Sequence, residues 1–417
     1  MWGLITVLVD SLIPRLKEIF ELSYFEAGLV QFAFFIAYAV VSIPAGNLLH
    51  RIGYKKGIIL GLTIMGLGCL LFIPAASYRL FPLFLTGYFI LASGMTVLQV
   101  AANPYVTVLG DEGGASSRLN LSQAFNSLGA TIAPALGAIF ILSDHIKTPD
   151  ELKELSESGL EAYYIAEASA VQTPFLSLAL ALFALTLIVL SVKLPQLLNT
   201  SAKTNYSSAL KDKKLKLGAV AIFLYVGAEV AVGSYLVNYF LDMNLAEIIR
   251  GNDTMRWMLS FFHSDIDGID NKAIVATFVV FYWGGAMVGR FVGSYLTRIY
   301  KPNVVLYIFA FMAVVFILLS MSTTGLFSMW AILAVGFFNS IMFPTIFSLA
   351  IEDLGELKPQ GSGVLCTAIA GGAFVPLIYG FFTDLSGFKP AFIVVILCYL
   401  YILIYGKKLP SLNKVAA

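Results

Sequence analysis

The hydrophobic positions fall into long runs that are apolar on every side. They show neither the one-faced stripe of a soluble amphipathic helix nor the strict alternation of a half-buried strand. Gly, Pro and small charge clusters punctuate them. A bilayer crossing needs roughly 20 mostly apolar residues. Twelve runs approach or exceed that length, near residues 1–20, 24–49, 57–76, 81–109, 116–143, 171–192, 217–241, 272–297, 303–322, 326–351, 359–384 and 389–406. Barrel strands would be about ten residues each and alternating. The pattern therefore predicts an all-α integral membrane protein with twelve transmembrane helices.

Composition sharpens this picture. Of 417 residues, 59% are hydrophobic and 12% charged, with a mean hydropathy of +0.86. Soluble domains carry about a quarter charged residues, and so few charges cannot cover a soluble surface of this size. That excludes an ordinary cytosolic enzyme, a nucleic-acid-binding protein and a disordered chain. The formal net charge of +1 gives no sign of a polyanionic partner. Cys69, Cys366 and Cys398 all sit in apolar runs and read as free thiols, not as a disulfide framework or a metal site. No nucleotide-cradling GxxxxGK[ST] loop, HExxH helix or nucleophile elbow is present. ATP-driven transport and membrane enzymology are therefore not expected, and neither is a cofactor.

Loop charge sets the orientation. With both termini inside, 17 of the 26 Lys and Arg residues fall on the inner side, Arg290 and Arg298 among them, against 6 of the 25 acids. The first span opens at Met1 with no polar leader and carries Asp10 in its middle. It lacks the basic stretch and small-residue cleavage site of a signal peptide; a short first helix or missing first turns would account for it. Two outer segments, 144–170, which is acidic and helix-prone, and 242–271, which contains Asp253, Asp265, Asp267 and Asp270, read as solvated external loops; the DIDGID run lacks calcium-hand spacing.

The halves echo each other. Gly46–Gly53 (GNLLHRIG) after the second span is matched by Gly293–Tyr300 (GSYLTRIY) after the eighth, at an offset of 247. Pro104 in the fourth span has Pro344 in the tenth at 240, and Pro134 in the fifth has Pro376 in the eleventh at 242. These marks predict two pseudo-symmetric six-helix bundles, residues 1–195 and 217–417, joined by a Lys-rich inner linker over 196–216. Such halves can rock about a site near the bilayer midplane, opening it to each side in turn.

Polar groups inside the spans locate that site. A charge at mid-bilayer costs about 2.5–3.5 kcal/mol on insertion scales, so one that persists usually faces a cavity or a partner. Asp10 and Glu229 qualify, in the first and seventh spans. Asp10 is the first choice for cation coupling: a carboxylate there can take up and release a proton, or hold Na⁺ when ionised. An Asp10 near the outer surface would simply be wet. Glu229 can meet substrate hydroxyls, titrate with Asp10 or form a structural interhelix bond.

Gln31, Gln99, Asn103, Asn120, Gln123, Asn126, Ser127 and Asn339 also lie in apolar spans. Positions 120, 123 and 127 share one helical stripe. Leaving so many amides in lipid is costly; a central cavity or interhelical polar glue resolves it. Trp283, Tyr282 and Phe343 are candidate stacking surfaces. Arg51, Arg118 and Arg298 end their helices on the inner side, where they serve either as locks between the halves, pairing with acids or helix C-termini, or only as topology signals.

The stretch Gly46-x-Leu48-x-x-Arg51-x-Gly53-x-Lys55-Lys56 resembles the inner-loop signature of the major facilitator superfamily, with His50 where that signature carries an acid. Further stretches resemble the fucose–galactose–glucose symporter family over nearly the whole length. They include Asp10–Pro14, Phe25–Gln31, Gln99–Gly110, Ser117–Gly129, Val171–Phe175 and Phe343–Leu349. Within it, Gln99 stands where the fucose branch has a glutamate, and Tyr225–Glu229 and Phe338–Pro344 look like the bacterial glucose/galactose branch.

The resemblance implies a major facilitator fold and uptake of glucose or galactose by symport with H⁺ or Na⁺. It puts the coupling carboxylate at Asp10. It further implies a bacterial inner membrane, a lipid environment and no nucleic acid; a monomer is expected. Because Gln99 cannot titrate, a two-carboxylate proton mechanism on the first and fourth spans does not carry over intact. Other cargo in the same class would be N-acetylglucosamine, fructose or fucose. A membrane sugar sensor is disfavoured by short inner loops with no room for a signalling domain.

Overall fold

The computed structural model describes residues 3–7, 24–140, 155–198, 206–263, 266 and 268–413. Among them there is no strand. The helices in chain order are α1 (Tyr24–Ile52), α2 (Tyr54–Ser77), α3 (Phe81–Val108), α4 (Ala115–Phe140), α5 (Glu157–Ser191), α6 (Tyr206–Ala209), α7 (Lys213–Asp242) and α8 (Leu245–Arg250). They continue as α9 (Asp253–Leu259), α10 (Asn271–Ile299), α11 (Pro302–Ser322), α12 (Gly325–Asn339), α13 (Met342–Ala350), α14 (Lys358–Thr367), α15 (Gly371–Ser386) and α16 (Phe388–Asn413).

Among the described residues, 10 helical stretches are long and apolar enough to cross a membrane. They match the second to fourth and the sixth to twelfth predicted spans. The first predicted span lies mostly outside the described residues, and Asp10 with it. The fifth corresponds to α4, whose opening half carries Ser116, Ser117, Asn120, Gln123 and Asn126 and whose predicted end, at residue 143, lies outside the described residues.

Several boundaries differ from expectation. The segment 144–170 is not loop throughout: α5 starts at Glu157, with the Ser156 hydroxyl accepting from Gly159 N at 3.2 Å as its N-cap. The segment 242–271 holds α8 and α9, and Asp270 of the acidic run caps α10 by accepting from Ala273 N at 2.9 Å. The tenth span is broken at Ser340–Ile341 between α12 and α13. Pro344 has no N–H to give to the carbonyl four residues back, which is that of Ser340. The eleventh span changes to a 3₁₀ turn over Ala368–Ala370, just before the Gly371–Gly372 pair.

The chain forms two compact units. One contains Met1–Tyr105, Leu128–Ala209 and Leu354–Thr367; the other contains Val106–Ser127, Leu210–Asp353 and Ala368–Ala417. This division differs from a cut at the 196–216 linker, because two pieces cluster away from their own half. In the first unit, Ser362 of α14 donates to the Val100 carbonyl at 2.9 Å, and the Tyr206 hydroxyl of α6 donates to the Ile43 carbonyl at 2.5 Å. Burial, with a smaller effect from Cys366, pushes the Tyr206 phenol above its ordinary range, so it remains a donor. In the second unit, Ser117 of α4 and Ser294 of α10 exchange hydroxyl-to-carbonyl bonds at 2.7 and 2.9 Å. Ser116 meets Ser348 at 2.6 Å, and Asn120 Nδ2 donates to Thr345 Oγ1 at 3.1 Å.

Each unit has its own interior. In the first, the Phe72 ring stacks on Phe175 at 4.1 Å and meets Phe84 edge-on at 4.7 Å. In the second, Tyr239 reaches Ser320 and Ser328 through its hydroxyl at 3.1 and 3.0 Å, interhelical polar glue of the kind membrane interiors use. The three cysteines are buried.

The repeated motif has a packing role in both copies. A Cβ at Gly46 would lie 2.8 Å from the Pro359 carbonyl of α14, and one at Gly293 would run into the Ile341 side chain at the break of the tenth span. Gly293→Val is expected to destabilise the fold by about 1–3 kcal/mol, the usual cost of overpacking, and to lower the apparent melting midpoint in detergent. Gly284→Ala on the same helix, where nothing lies within 4 Å of an added Cβ, should leave the midpoint in place. Equal midpoints for the two variants would refute the close approach.

Candidate functional site

The polar residues predicted inside the spans divide between the two units. In the first, Gln99 is 9% exposed and donates through Nε2 to the Tyr38 hydroxyl at 2.8 Å. Asn103 is buried. Gln31 stands on the exposed side of α1.

The second unit gathers the denser cluster, around Glu229. The i, i+4 spacing of Tyr225 and Glu229 places both on one face of α7, and the Tyr225 hydroxyl neighbours the carboxylate. Arg290 of α10 brings Nη2 to 3.6 Å from Glu229 Oε1, an ion pair longer than a direct hydrogen bond; both side chains are 14% exposed. The same guanidinium donates through Nε to the Ser340 carbonyl at 3.1 Å and through Nη1 to the Ser127 hydroxyl of α4. Arg290 is therefore not the inner-side loop charge that the orientation tally took it for. It lies inside α10, nine residues before the helix ends at Ile299.

Next to this pair, Asn339 closes α12 and donates through Nδ2 to the hydroxyls of Tyr282 at 2.7 Å and Tyr399 at 3.3 Å. Tyr282 in turn donates to the Glu229 carbonyl at 3.3 Å. Asn339 Oδ1 and Glu229 Oε1 are buried acceptors without a donor at hydrogen-bonding geometry among the described residues, and the Tyr225 hydroxyl beside the carboxylate is likewise unpartnered by that geometry. Acceptors left so in a dry interior cost about 1–3 kcal/mol each, a cost that an added O–H or N–H donor would offset.

Tyr282 is fully buried and offers no ring face for stacking, which corrects that expectation; Trp283, 44% exposed, meets it edge-on at 5.1 Å. Gly233, one turn beyond Glu229, lies under the Trp283 ring: a Cβ there would come within 2.7 Å of it. Phe343 is buried against Phe347 at 5.8 Å. Gln123 is buried and Asn126 half-buried on the same face of α4 as Ser127.

The arginines named as locks have unequal roles. Arg118 donates to the carbonyls of Val106, Thr107 and Asp111 at 3.1, 2.7 and 2.9 Å, clamping the end of α3. Arg51 and Arg298 are exposed. Sequence reasoning missed one charged contact of the second unit: the buried Lys214 pairs with Asp353, with Glu352 at 4.0 Å. A lysine opening an apolar helix, with two acids just after another, was the available signal.

The arrangement is a half-buried carboxylate held by an internal arginine and bordered by amides, tyrosine hydroxyls and an exposed indole. It can exchange partners at the carboxylate and accept hydrogen bonds from a neutral polyol. Residues 3–375 match the model of the Major Facilitator Superfamily. A glucose/galactose transporter of Brucella abortus is 48% identical over 409 residues, covering 97% of this chain and 90% of its own. The L-fucose-proton symporter of Escherichia coli is 35% identical over 418 residues, covering 98% and 90%. The crystal structure of the MFS transporter FucP in the outward conformation superposes with a TM-score of 0.86 at 33% identity, covering 98% of this chain and 95% of that one. With a family model over most of its length and relatives aligned almost end to end, this chain belongs to the Major Facilitator Superfamily, a family of transporters and not of enzymes.

Proposed function

We propose that this protein takes up a hexose, glucose or galactose, by symport with a cation through alternating access of two six-helix halves, 1–195 and 217–417. The observation that carries the reading is the pair of buried acceptors, Asn339 Oδ1 and Glu229 Oε1, beside an exposed Trp283. A hexose brings O–H donors for the first two and an apolar ring face for the third. The 48% identity to a protein named glucose/galactose transporter supports the choice of cargo. Gln123 and Asn126 in the second unit, and Gln31, Gln99 and Asn103 in the first, are the further sugar-contact candidates.

In this reading Asp10 loads the cation from outside, with Glu229 as the second carboxylate of the relay. Loading completes the sugar site, and the loaded carrier turns inward. Coupling follows when empty and doubly loaded carriers cross and singly loaded ones do not. The cation is H⁺, which agrees with the printed name of the Escherichia coli relative. The protein resides in a bacterial inner membrane with both termini on the cytoplasmic side, as the basic loops suggest, and Arg51, Arg118 and Arg298 help close the inner side.

Purified protein in proteoliposomes is expected to accumulate radiolabelled glucose or galactose under an inward pH gradient, and only to equilibrate them with no gradient or a Na⁺ gradient alone. Accumulation under the Na⁺ gradient alone would replace H⁺ with Na⁺. Competition by unlabelled fucose, fructose or N-acetylglucosamine separates the cargoes, and lack of saturable uptake of either hexose would overturn the reading. Asp10→Asn is expected to reduce gradient-driven accumulation to the equilibrium level while sparing part of the sugar exchange. Full accumulation by that variant would remove Asp10 from the coupling step.

A further inference from the structure

The segment between the spans α7 and α10 carries large rings that the transport cycle above leaves unused. In α9, Met255 and Leu259 are buried at i, i+4 spacing and fix the inner face of this short helix. Trp257 and Phe261 keep the same spacing on the opposite face, where they are 62 and 67% exposed, and Phe262 beside them is 52% exposed. The Trp257 and Phe261 rings meet edge-on at 4.7 Å, so they form one apolar patch. Aromatics grouped in this way mark a contact surface, unlike a single exposed ring.

Two ties set where the patch lies along α10. At the near end, Arg250 of α8 donates to the Ile269 carbonyl and, at 2.5 Å, to Asn271 Oδ1, level with the first residue of α10. At the far end, His263 Nε2 lies 2.9 Å from the Thr277 hydroxyl. That hydroxyl gives its only proton to the Ala273 carbonyl at 2.9 Å, so His263 is the donor. Thr277 lies six positions after Asn271, about 9 Å along the helix axis. The chain therefore descends beside α10 as it passes through α9. It runs from the level of Asp270 and Lys272 to a stretch, Ala273 to Gly289, that has no charged residue. Phe261 and Phe262 adjoin His263 and share its depth.

The flank of α10 that receives them is an apolar one. Thr277, Gly284, Val288 and Tyr295 recur at helical spacing on one face, and Val288 and Tyr295 are 49 and 66% exposed. Arg290, turned to Glu229, projects from another face. An apolar column left uncovered on a crossing helix meets acyl chains.

From this geometry we propose that α9 is an interfacial anchor: Trp257, Phe261 and Phe262 insert at the boundary between headgroups and acyl chains on the side where α10 begins, and the His263–Thr277 bond fixes their depth. The partner is the lipid surface, because the patch continues the uncovered column of α10. Its chemistry suits that depth. An indole with an apolar body and one N–H prefers the boundary, while Asp253 at the start of α9 and Lys272 at the start of α10 stay toward water. The proposal is independent of the cargo and of the coupling ion.

Full-length protein in proteoliposomes tests it through Trp257 emission, read as the difference between wild type and Trp257→Phe. Lipids brominated on the upper acyl chain are expected to remove more than half of that emission, lipids brominated near the terminal methyl less, and aqueous iodide little. Thr277→Val takes away the acceptor of the depth-setting bond; bromolipid quenching should then fall and iodide quenching rise. His263→Ala breaks the same bond from the other side and replaces Thr277→Val if that variant does not fold. Iodide quenching of the wild type without bromolipid quenching makes the segment a solvated loop and overturns the proposal. Protection from both quenchers means that protein covers the patch, a second copy included, and overturns it as well. Wild-type quenching in Thr277→Val and His263→Ala overturns the assignment of depth to that bond.

Discussion

A backbone carbonyl buried away from water must find a donor, and two prolines inside the spans create carbonyls that their own helices cannot satisfy. Pro104 withholds its donor from Val100, and Pro344 from Ser340. Both gaps are filled from another helix: Ser362 donates to Val100 at 2.9 Å, and Arg290 to Ser340 at 3.1 Å. The two prolines stand at the offset of 240 residues noted in the sequence, and the same local defect is repaired differently at each. A serine repairs it without charge. An arginine brings a charge into an apolar setting and so demands a counter-ion, which Glu229 provides. The polar centre of the second unit follows from that single requirement.

Contacts elsewhere fall into two kinds. Phe72, Phe84 and Phe175 interlock as a rigid aromatic packing within the first unit. Ser116, Ser117 and Asn120 instead meet Ser348, Ser294 and Thr345 through small hydroxyls and an amide. Interhelical polar contacts of that sort contribute only about 0.6 kcal/mol each on average. Helices joined in this way can part and rejoin at small cost, which suits a protein of this family better than a deep hydrophobic seam would.

Much of the architecture was legible in the chain. Length and hydropathy placed most of the described spans to within a few residues, because lipid leaves little alternative to a helix; the paired Gly and Pro marks point to a duplication. What failed has particular causes. The breaks at Ser340–Ile341 and Ala368–Ala370 were hidden because hydropathy averages over a window and does not register a missing N–H. The start of α5 falls inside the helix-prone outer segment and not at the edge of the apolar run, because hydropathy marks where lipid begins and not where the helix does; an acid in its first turn suits a helix N-terminus behind the Ser156 cap. Arg290 was counted as topology because it lies within a turn or two of the span's end. The residue that asks for it, Pro344, is 54 positions away, and only the fold brings the two together. The amides were recognised as a class. Which of them donate inward, as Gln99 does to Tyr38, depends on neighbours that no periodicity names.

The short helix α6 has an unusual allegiance. Tyr206–Ala209 pack with the first unit, and the second begins again at Leu210. The Tyr206 hydroxyl reaches the Ile43 carbonyl beside the glycine motif of α1. If the gene were split between codons 198 and 206, the downstream polypeptide would carry at its head the aromatic plug that fits the upstream one. Two fragments made separately would thus possess a built-in handle for reassembly.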